Sequence, residues 1–518
     1  MNFADEQNYY ASVIESLGRS TLSNGKTLSE ALTVDGIPFW DVFSSELAWR
    51  HLTTAIAATT PLASAKLLAK PYVLRFKDRL KRFGNTQCIA RNASNWPANP
   101  AVLCLGFTAR MYRDVLEPVV ACLTAKGDCR VVVLGDTPYP GGDRNSNENI
   151  LYQQVWQYWG PDLERQLRAL KQSVRRIEIE LVTSKRLDSL FPKDDRRISE
   201  ALHKIFYLLF RCYLPLILRQ AVVAKHIMSE CRPSLVLSPD TSDARARIYT
   251  LLSRSMHVPS MDVQFGLTGD EGVEWRFFSA DFVAVWGESS KAALLKQKVP
   301  EGKILITGSP RHDSLVRPSQ STIVSTRTRL GLVDGRPVIL LASTYTDGTH
   351  TEYSRPEILR AMKRAIFNAA EKNPEIILVV KPHPHEDVNE TRALAGDAKN
   401  IIFADRESDI RNLIVLCDVF FSFGSTATID ALIADKISIC PIFPGWPFSE
   451  SFRDSGAVLI PESSKQVEKI FADIACRIDL KSPSSLRVAR EKYLNNVVYK
   501  ADGLASERIR DRLVRMLK

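Results

Sequence analysis

Apolar and polar positions along the 518-residue chain fall into two rhythms. Up to about Asn95 the apolar residues recur at helical spacing, interrupted at Gly36-Ile37-Pro38 and at Pro61. There, Val73, Phe76, Leu80 and Phe83 share one face of a helix expected to start at Pro71, because proline suits a first helical turn. From Ala101 the pattern changes to short apolar runs that alternate with helical stretches. The runs are Ala101–Phe107, Arg130–Asp136, Ile177–Val182, Ser234–Asp240, Ser260–Gln264, Asp281–Gly287 and Lys303–Pro310. Helical patterns lie through Val115, Val119 and Leu123 and over Ala244–Ser253. The polar stretch Arg317–Thr322 reads as a linker, after which the alternation restarts at Pro337–Ala342. It continues through Ile376–Val380, Ile401–Phe403, Val419–Phe421 and Ile437–Ile442. Strands that alternate with helices at this spacing predict parallel sheets covered on both faces.

The fold class expected is therefore α/β, two Rossmann-like doubly wound parallel-sheet domains in series behind a mainly helical N-terminal segment. The boundaries fall at 1–95 for that segment, 96–316 for the first sheet and 317–480 for the second. Residues 481–518 form C-terminal helices expected to pack back on the first sheet domain.

Composition narrows the chemistry. A hydrophobic content of 45% with 25% charged residues is that of a globular protein. The net charge of +10 favours anionic partners such as nucleotides or an anionic membrane. The basic residues are spread out and no aromatic-plus-basic motif accompanies them, which argues against nucleic acid. Nine cysteines without a CxxC pair, several of them inside apolar runs, indicate a reducing compartment and no zinc site. The acidic start, Met1 to Gln7, is no secretory signal. The apolar run Ile205–Phe210 is cut by Arg211 and Pro215, too short to span a bilayer. The expected location is the cytoplasm, with peripheral contact to the inner face of the membrane. Lys70, Arg75, Lys77, Arg79, Lys81 and Arg82 make the helix after Pro71 basic and amphipathic, either a membrane-surface helix or a solvated one.

Candidate chemistry gathers in the second half. The run Asp418–Leu432 is a strand that breaks at Gly424 into Ser425, Thr426 and Thr428 and then becomes a helix. Small residues at that turn present backbone N–H groups and hydroxyls to an anion such as phosphate, or merely cap the helix. Upstream, Glu375–Val380 runs straight into Lys381-Pro382-His383-Pro384-His385-Glu386. Ligands of parallel sheets bind at the carboxyl ends of strands, where both polar clusters fall. A nucleotide-binding site is the expectation.

The stretch from Ser234 to Ile442 resembles GT-B glycosyltransferases of bacterial capsule and surface-polysaccharide synthesis. The likeness rests on Val263–Gly266, Val285–Ser289, Thr307–Asp313, Lys381–Pro384 and Ser422–Thr426. That group is similar to Kdo- and sialyl-type transferases, and more distantly to CDP-glycerol transferases and UDP-GlcNAc 2-epimerases. The resemblance implies two sheet domains facing a cleft, with donor nucleotide on the second. It implies donor contacts from His383 and Pro384, phosphate contacts from Ser422, Gly424, Ser425 and Thr426, and a ribose contact from Asp430, with Ser309 and Thr344 nearby. Asp270-Glu271-Gly272 is similar to the acidic motif that supplies the general base of bacterial sialyltransferases, although Phe265 stands where many relatives carry histidine.

Transfer from a nucleotide-sugar needs charge stabilisation at the leaving phosphate, for which Lys381 and Arg311 are candidates. An inverting reaction also needs a base on the acceptor hydroxyl. Asp270, Glu271, Asp240 and Asp114 lie in strand-end loops of the first sheet, as bases or as plain surface carboxylates. Acceptor contacts are expected from Arg110, Arg113, Asp240 and Gln264. No Asp-x-Asp lies at a strand end, so metal-independent catalysis is expected, with no cofactor beyond the nucleotide-sugar donor. The acceptor expected is a glycan or lipid-linked glycan. The alternatives are a UDP-sugar 2-epimerase and a CDP-glycerol-type polyol-phosphate transferase.

Overall fold

The computed structural model describes residues 3–85, 101–125, 127, 129–136, 148–183, 187, 190–239, 241–268, 272–332, 335–345, 355–406, 408–446, 450–476 and 484–517. The chain divides into two compact units: residues 1–307 with 506–518, and residues 308–505. The division falls at Thr307/Gly308, ahead of the expected linker.

The first unit begins with helix Phe3–Arg19 and a two-residue hairpin, β1 (Thr33–Val34) and β2 (Ile37–Pro38). The interruption at Gly36 is thus a tight turn. Helix Phe39–Glu46 follows and lies against Phe3–Arg19, where Gly18 is required: a Cβ there would sit 2.3 Å from Trp40 Nε1. The helix expected from Pro71 starts ten residues earlier and runs Pro61–Asn85 through position 71. Proline is well placed at its first position, and that position is Pro61.

The sheet of this unit has seven parallel strands: β3 (Ala101–Leu105), β4 (Arg130–Gly135), β5 (Ile150–Gln154), β6 (Leu235–Ser238), β7 (Ser260–Val263), β8 (Phe282–Val285) and β9 (Ile304–Ile306). Their order is β5-β4-β3-β6-β7-β8-β9. Two expectations need correction. Ile177–Val182 is helical, the end of Pro161–Glu178 and the turn that continues it. Its alternation of Ile177, Ile179 and Leu181 with glutamates imitates a strand, but the helix that enters it carries Leu163, Leu167, Leu170 and Val174 on one buried face. The strand in question is the edge strand β5, half-buried throughout and half polar, so its sequence carries no apolar run. The apolar run cut by Arg211 and Pro215 is likewise not interrupted. It belongs to a helical run, Arg196–Cys231, long and apolar enough to cross a membrane. Most of it is buried in the core, from Ile198 through Phe210 and Leu214 to Met228.

The second unit carries five parallel strands: β10 (Val338–Ala342), β11 (Ile377–Lys381), β12 (Ile401–Phe403), β13 (Val419–Ser422) and β14 (Ile437–Ile439), in the order β12-β11-β10-β13-β14. β10, β11 and β13 are buried at every residue, because helices cover both sheet faces, and so they read as continuous apolar runs. The expected linker Arg317–Thr322 contains a helix start: Ser319 caps Gln320–Arg329 by accepting from Thr322 N–H. The C-terminal helices separate, Ser484–Val497 staying with this unit while Ile509 and Leu513 of Ala505–Met516 join the core beside β3, β4 and β6.

Candidate functional site

In the second unit the chain moves from β10 outward to β11 and β12, then returns to place β13 and β14 on the other side of β10. Connections leaving β10 and β13 therefore diverge, and the crevice at such a reversal is where open parallel sheets hold ligands. The register aligns three strand ends there. Ala342 pairs with Lys381 across one side and with Ser422 across the other. The polar residues that follow, Ser343 to Tyr345, Pro382 to Glu386 and Phe423 to Thr426, thus emerge side by side.

His383 is half-buried and packs its ring against Tyr345, centroids 4.8 Å apart, with His385 at 5.6 Å. Its Nδ1 accepts from the His385 backbone N–H at 3.2 Å, and its own N–H donates to Glu386 at 2.9 Å. Pro384 is exposed beside it. Glu386 is the anchor of this turn. Only 3% exposed, it meets Lys363 Nζ through Oε1 at 2.5 Å and accepts from Ser343 and Thr391 hydroxyls at 2.7 and 2.5 Å. Lys363 also donates to Thr344 O at 2.7 Å. One buried ion pair therefore ties the end of β10 to the turn after β11. Lys381 is buried too, and its ammonium donates to Pro382 O and Arg406 O at 3.1 and 2.6 Å, closing the same turn from below.

Across β13, Gly424 has φ +87°, a left-handed conformation that costs a side-chain-bearing residue and turns the backbone sharply. Ser425 is exposed and Thr426 half-buried. Ser422 and Thr428 instead meet each other at 2.7 Å beneath the turn, fully buried. Ser422 Oγ accepts from Gly424 N–H at 3.3 Å and holds the turn in place.

Asp430 lies fully buried one turn further on and pairs with Arg311 at 2.5 Å and His312 at 3.2 Å. Burial alone would raise its carboxyl, but Arg311 and His312 more than offset this and hold it below the usual carboxylate range. Burial lowers the His312 imidazole in turn, outweighing its bond to Asp430. Ser309 is buried at the start of this segment, and its hydroxyl has no partner among the described residues.

The residues expected around the first sheet are placed as follows. Asp240, Asp270 and Glu271 lie outside the described residues. Arg110 and Arg113 are exposed on the helix after β3, Arg110 lying 3.6 Å from Asp114 and over the Phe265 ring. Gln264 is 1% exposed, and every bond of its amide is internal. It donates to Gly266 O, Thr268 and Ser290 at 2.8 to 3.1 Å and accepts from Trp286 N–H at 2.9 Å.

Lys363, Ser343 and Tyr345 were not among the expected residues, and Glu386, part of the expected polar cluster, had no role assigned to it. A signal existed for one of them: Lys363 stands at a core-facing position between Leu359 and Ile366, where an apolar residue is the norm.

The two parallel-sheet units define an α/β fold of GT-B-like type. A structure described as a UDP-N-acetylglucosamine 2-epimerase from Listeria monocytogenes aligns over 80% of this chain and 95% of its own, with 14% identity and a TM-score of 0.50. It shows that the fold is shared. The Neisseria meningitidis UDP-GlcNAc 2-epimerase bound to UDP-GlcNAc aligns over 80% and 100%, with 13% identity and a TM-score of 0.47. Anabaena HepE in complex with UDP and glucose covers the same shares at 11% and 0.46. By sequence, residues 279–515 match the model of the CDP-glycerol:poly(glycerophosphate) glycerophosphotransferase family, a stretch that contains the whole second unit. No curated protein matches the chain significantly.

Proposed function

We propose that the second unit binds a nucleotide-activated donor and that the protein transfers its sugar to a hydroxyl of a surface-polysaccharide or lipid-linked glycan. The observation that supports this reading is the convergence at the β10/β13 reversal of His383 packed on Tyr345 with the open Gly424-Ser425-Thr426 turn. His383 and Pro384 contact the nucleoside, and the turn hydroxyls hold the phosphates. The acceptor oxygen bonds to the anomeric carbon of the sugar as the bond from that carbon to the leaving phosphate oxygen breaks, and that electron pair departs with the nucleotide. Asp270 or Glu271 takes the proton of the acceptor hydroxyl, and Arg110 and Arg113 attract an anionic acceptor.

A second reading is favoured by the family match over residues 279–515: the group moved is a polyol phosphate. The donor pocket is the same, but a phosphoanhydride bond breaks and a nucleoside monophosphate leaves.

The test is thermal stabilisation by CMP, CDP, UDP, GDP and their conjugates, on wild type and on His383→Ala. A ligand at about a hundred times its Kd adds roughly 2.7 kcal/mol. Stabilisation by one nucleotide, lost in the variant, supports the site. A CDP-polyol turned over with release of CMP selects the second reading, and a UDP- or CMP-sugar turned over selects the first. Asp270→Asn or Glu271→Gln then abolishes turnover while nucleotide binding remains. If no nucleotide stabilises the protein, the reading fails.

A further inference from the structure

We propose that helix Pro61–Asn85 is a docking surface for an anionic phospholipid membrane, a property that does not depend on the donor-site reading. The helix has two apolar faces. Through Ala63, Leu67 and Leu74 it packs on the core of the first unit, with Leu67 only 8% exposed. At 3.6 residues per turn these three positions form one narrow stripe. Leu62, Tyr72, Val73 and Phe76 fall on the opposite side and are 66%, 68%, 52% and 63% exposed. The sequence continues that second stripe at positions 80 and 83 with Leu80 and Phe83. Trp49, 38% exposed, lies one short helix earlier. Among the described residues, five of the large exposed apolar side chains therefore fall between positions 49 and 76.

Charge selects the occupant. The helical spacing puts the positions of Lys66 and Lys77 on one flank of the outer stripe and those of Arg75, Arg79 and Arg82 on the other, with Asp78 the one acid among them, while Lys70 turns inward and lies over the Tyr213 ring. A nucleic acid would use the cations and leave the apolar stripe in water. A lipid surface uses both: headgroup phosphates meet the flanks while the stripe enters the acyl boundary.

The experiment is co-sedimentation of the full chain with phosphatidylcholine vesicles and with vesicles containing phosphatidylglycerol, at low salt and at about 0.5 M salt. Binding at least tenfold stronger to the anionic vesicles is expected. The triple change Arg75→Gln, Lys77→Gln and Arg79→Gln lowers it about a hundredfold, since each cation near an anionic surface contributes about a fivefold factor. Tyr72→Ser, Val73→Ser and Phe76→Ser together remove the part that survives high salt. These positions are exposed, so the melting midpoint stays put; should it fall, Phe76→Ser alone serves. Equal partition onto neutral and anionic vesicles, or binding indifferent to both variants, overturns the proposal. So does a dimer in solution that the serine variant dissolves, which makes the stripe a protein interface.

Discussion

The two sheets reverse their strand order in the same way, yet the described residues at their carboxyl ends are used differently. On the seven-stranded sheet, Asp136 after β4 is bridged by Arg245, which also grips Asp243 and lies over the Phe107 ring, while Gln220 donates to Asp136 at 2.6 Å. Gln264 after β7 is likewise absorbed by its own neighbourhood. On the five-stranded sheet the charges sit one layer lower. Lys363 and Glu386 are buried beneath the His383 turn, and Arg311 and Asp430 lie beyond the Gly424 turn. The layer above them, Tyr345, His383, Pro384, Ser425 and Thr426, remains at least partly accessible. A buried polar network whose members satisfy one another rigidifies the backbone above it, and a rigid, open strand-end surface is what a binding site requires.

That contrast can be broken at its foundation. Lys363→Ala strands the Glu386 carboxylate in a buried site and is expected to cost about 3–5 kcal/mol, the scale for opening a buried ion pair. Hydrogen exchange of β10 and β11 reads the loss within the second unit. On the other side of the comparison, Gln264→Ala leaves Trp286 N–H without its side-chain acceptor. It is expected to cost about 2–3 kcal/mol in β7 and β8 without altering nucleotide binding. Denaturant unfolding with ligand titration measures both.

Acid sharpens the comparison further. The folded values of His312 and Asp430 both lie below the ordinary ones, so the folded state binds fewer protons than the unfolded chain. Stability of the second unit therefore falls as pH drops below about 6.5, where unfolded histidine takes up its proton, and falls again when Asp430 protonates. His312→Gln removes the first of these steps and flattens the profile between pH 7 and pH 5. The smallest effect on stability is that of His383→Ala. Its ring is only half-buried, so the change costs about 1 kcal/mol or less while removing nucleotide-induced stabilisation.

Most of the fold was legible because both sheets are buried on two faces, which writes each inner strand as an unbroken apolar run. β10, β11 and β13 stand within a residue or so of their expected positions. The failures share a cause. β5 is a half-polar edge strand, recognisable only by its pairing with β4. Ile177–Val182 alternates like a strand, but the packing of the helix before it decides the outcome. The strand-end positions of Lys381, His383 and Gly424 to Thr426 could be read, but not that Lys381, expected at the leaving phosphate, turns inward to close the turn beneath them. The network beneath could not: Lys363 and Glu386 are 23 residues apart and meet only once β10 and β11 are paired. Ser422 and Asp430 show the same limit, since sequence marks a hydroxyl and a carboxylate but not whether each turns outward or, as here, inward.

The most direct test of the central claim is hydrogen–deuterium exchange of the full chain with and without the nucleotide that stabilises it most. Protection is expected to be confined to peptides covering residues 343–345, 382–386 and 423–427, and to be lost in His383→Ala. Protection centred on the strand ends of the seven-stranded sheet, with those three segments unchanged, would contradict it.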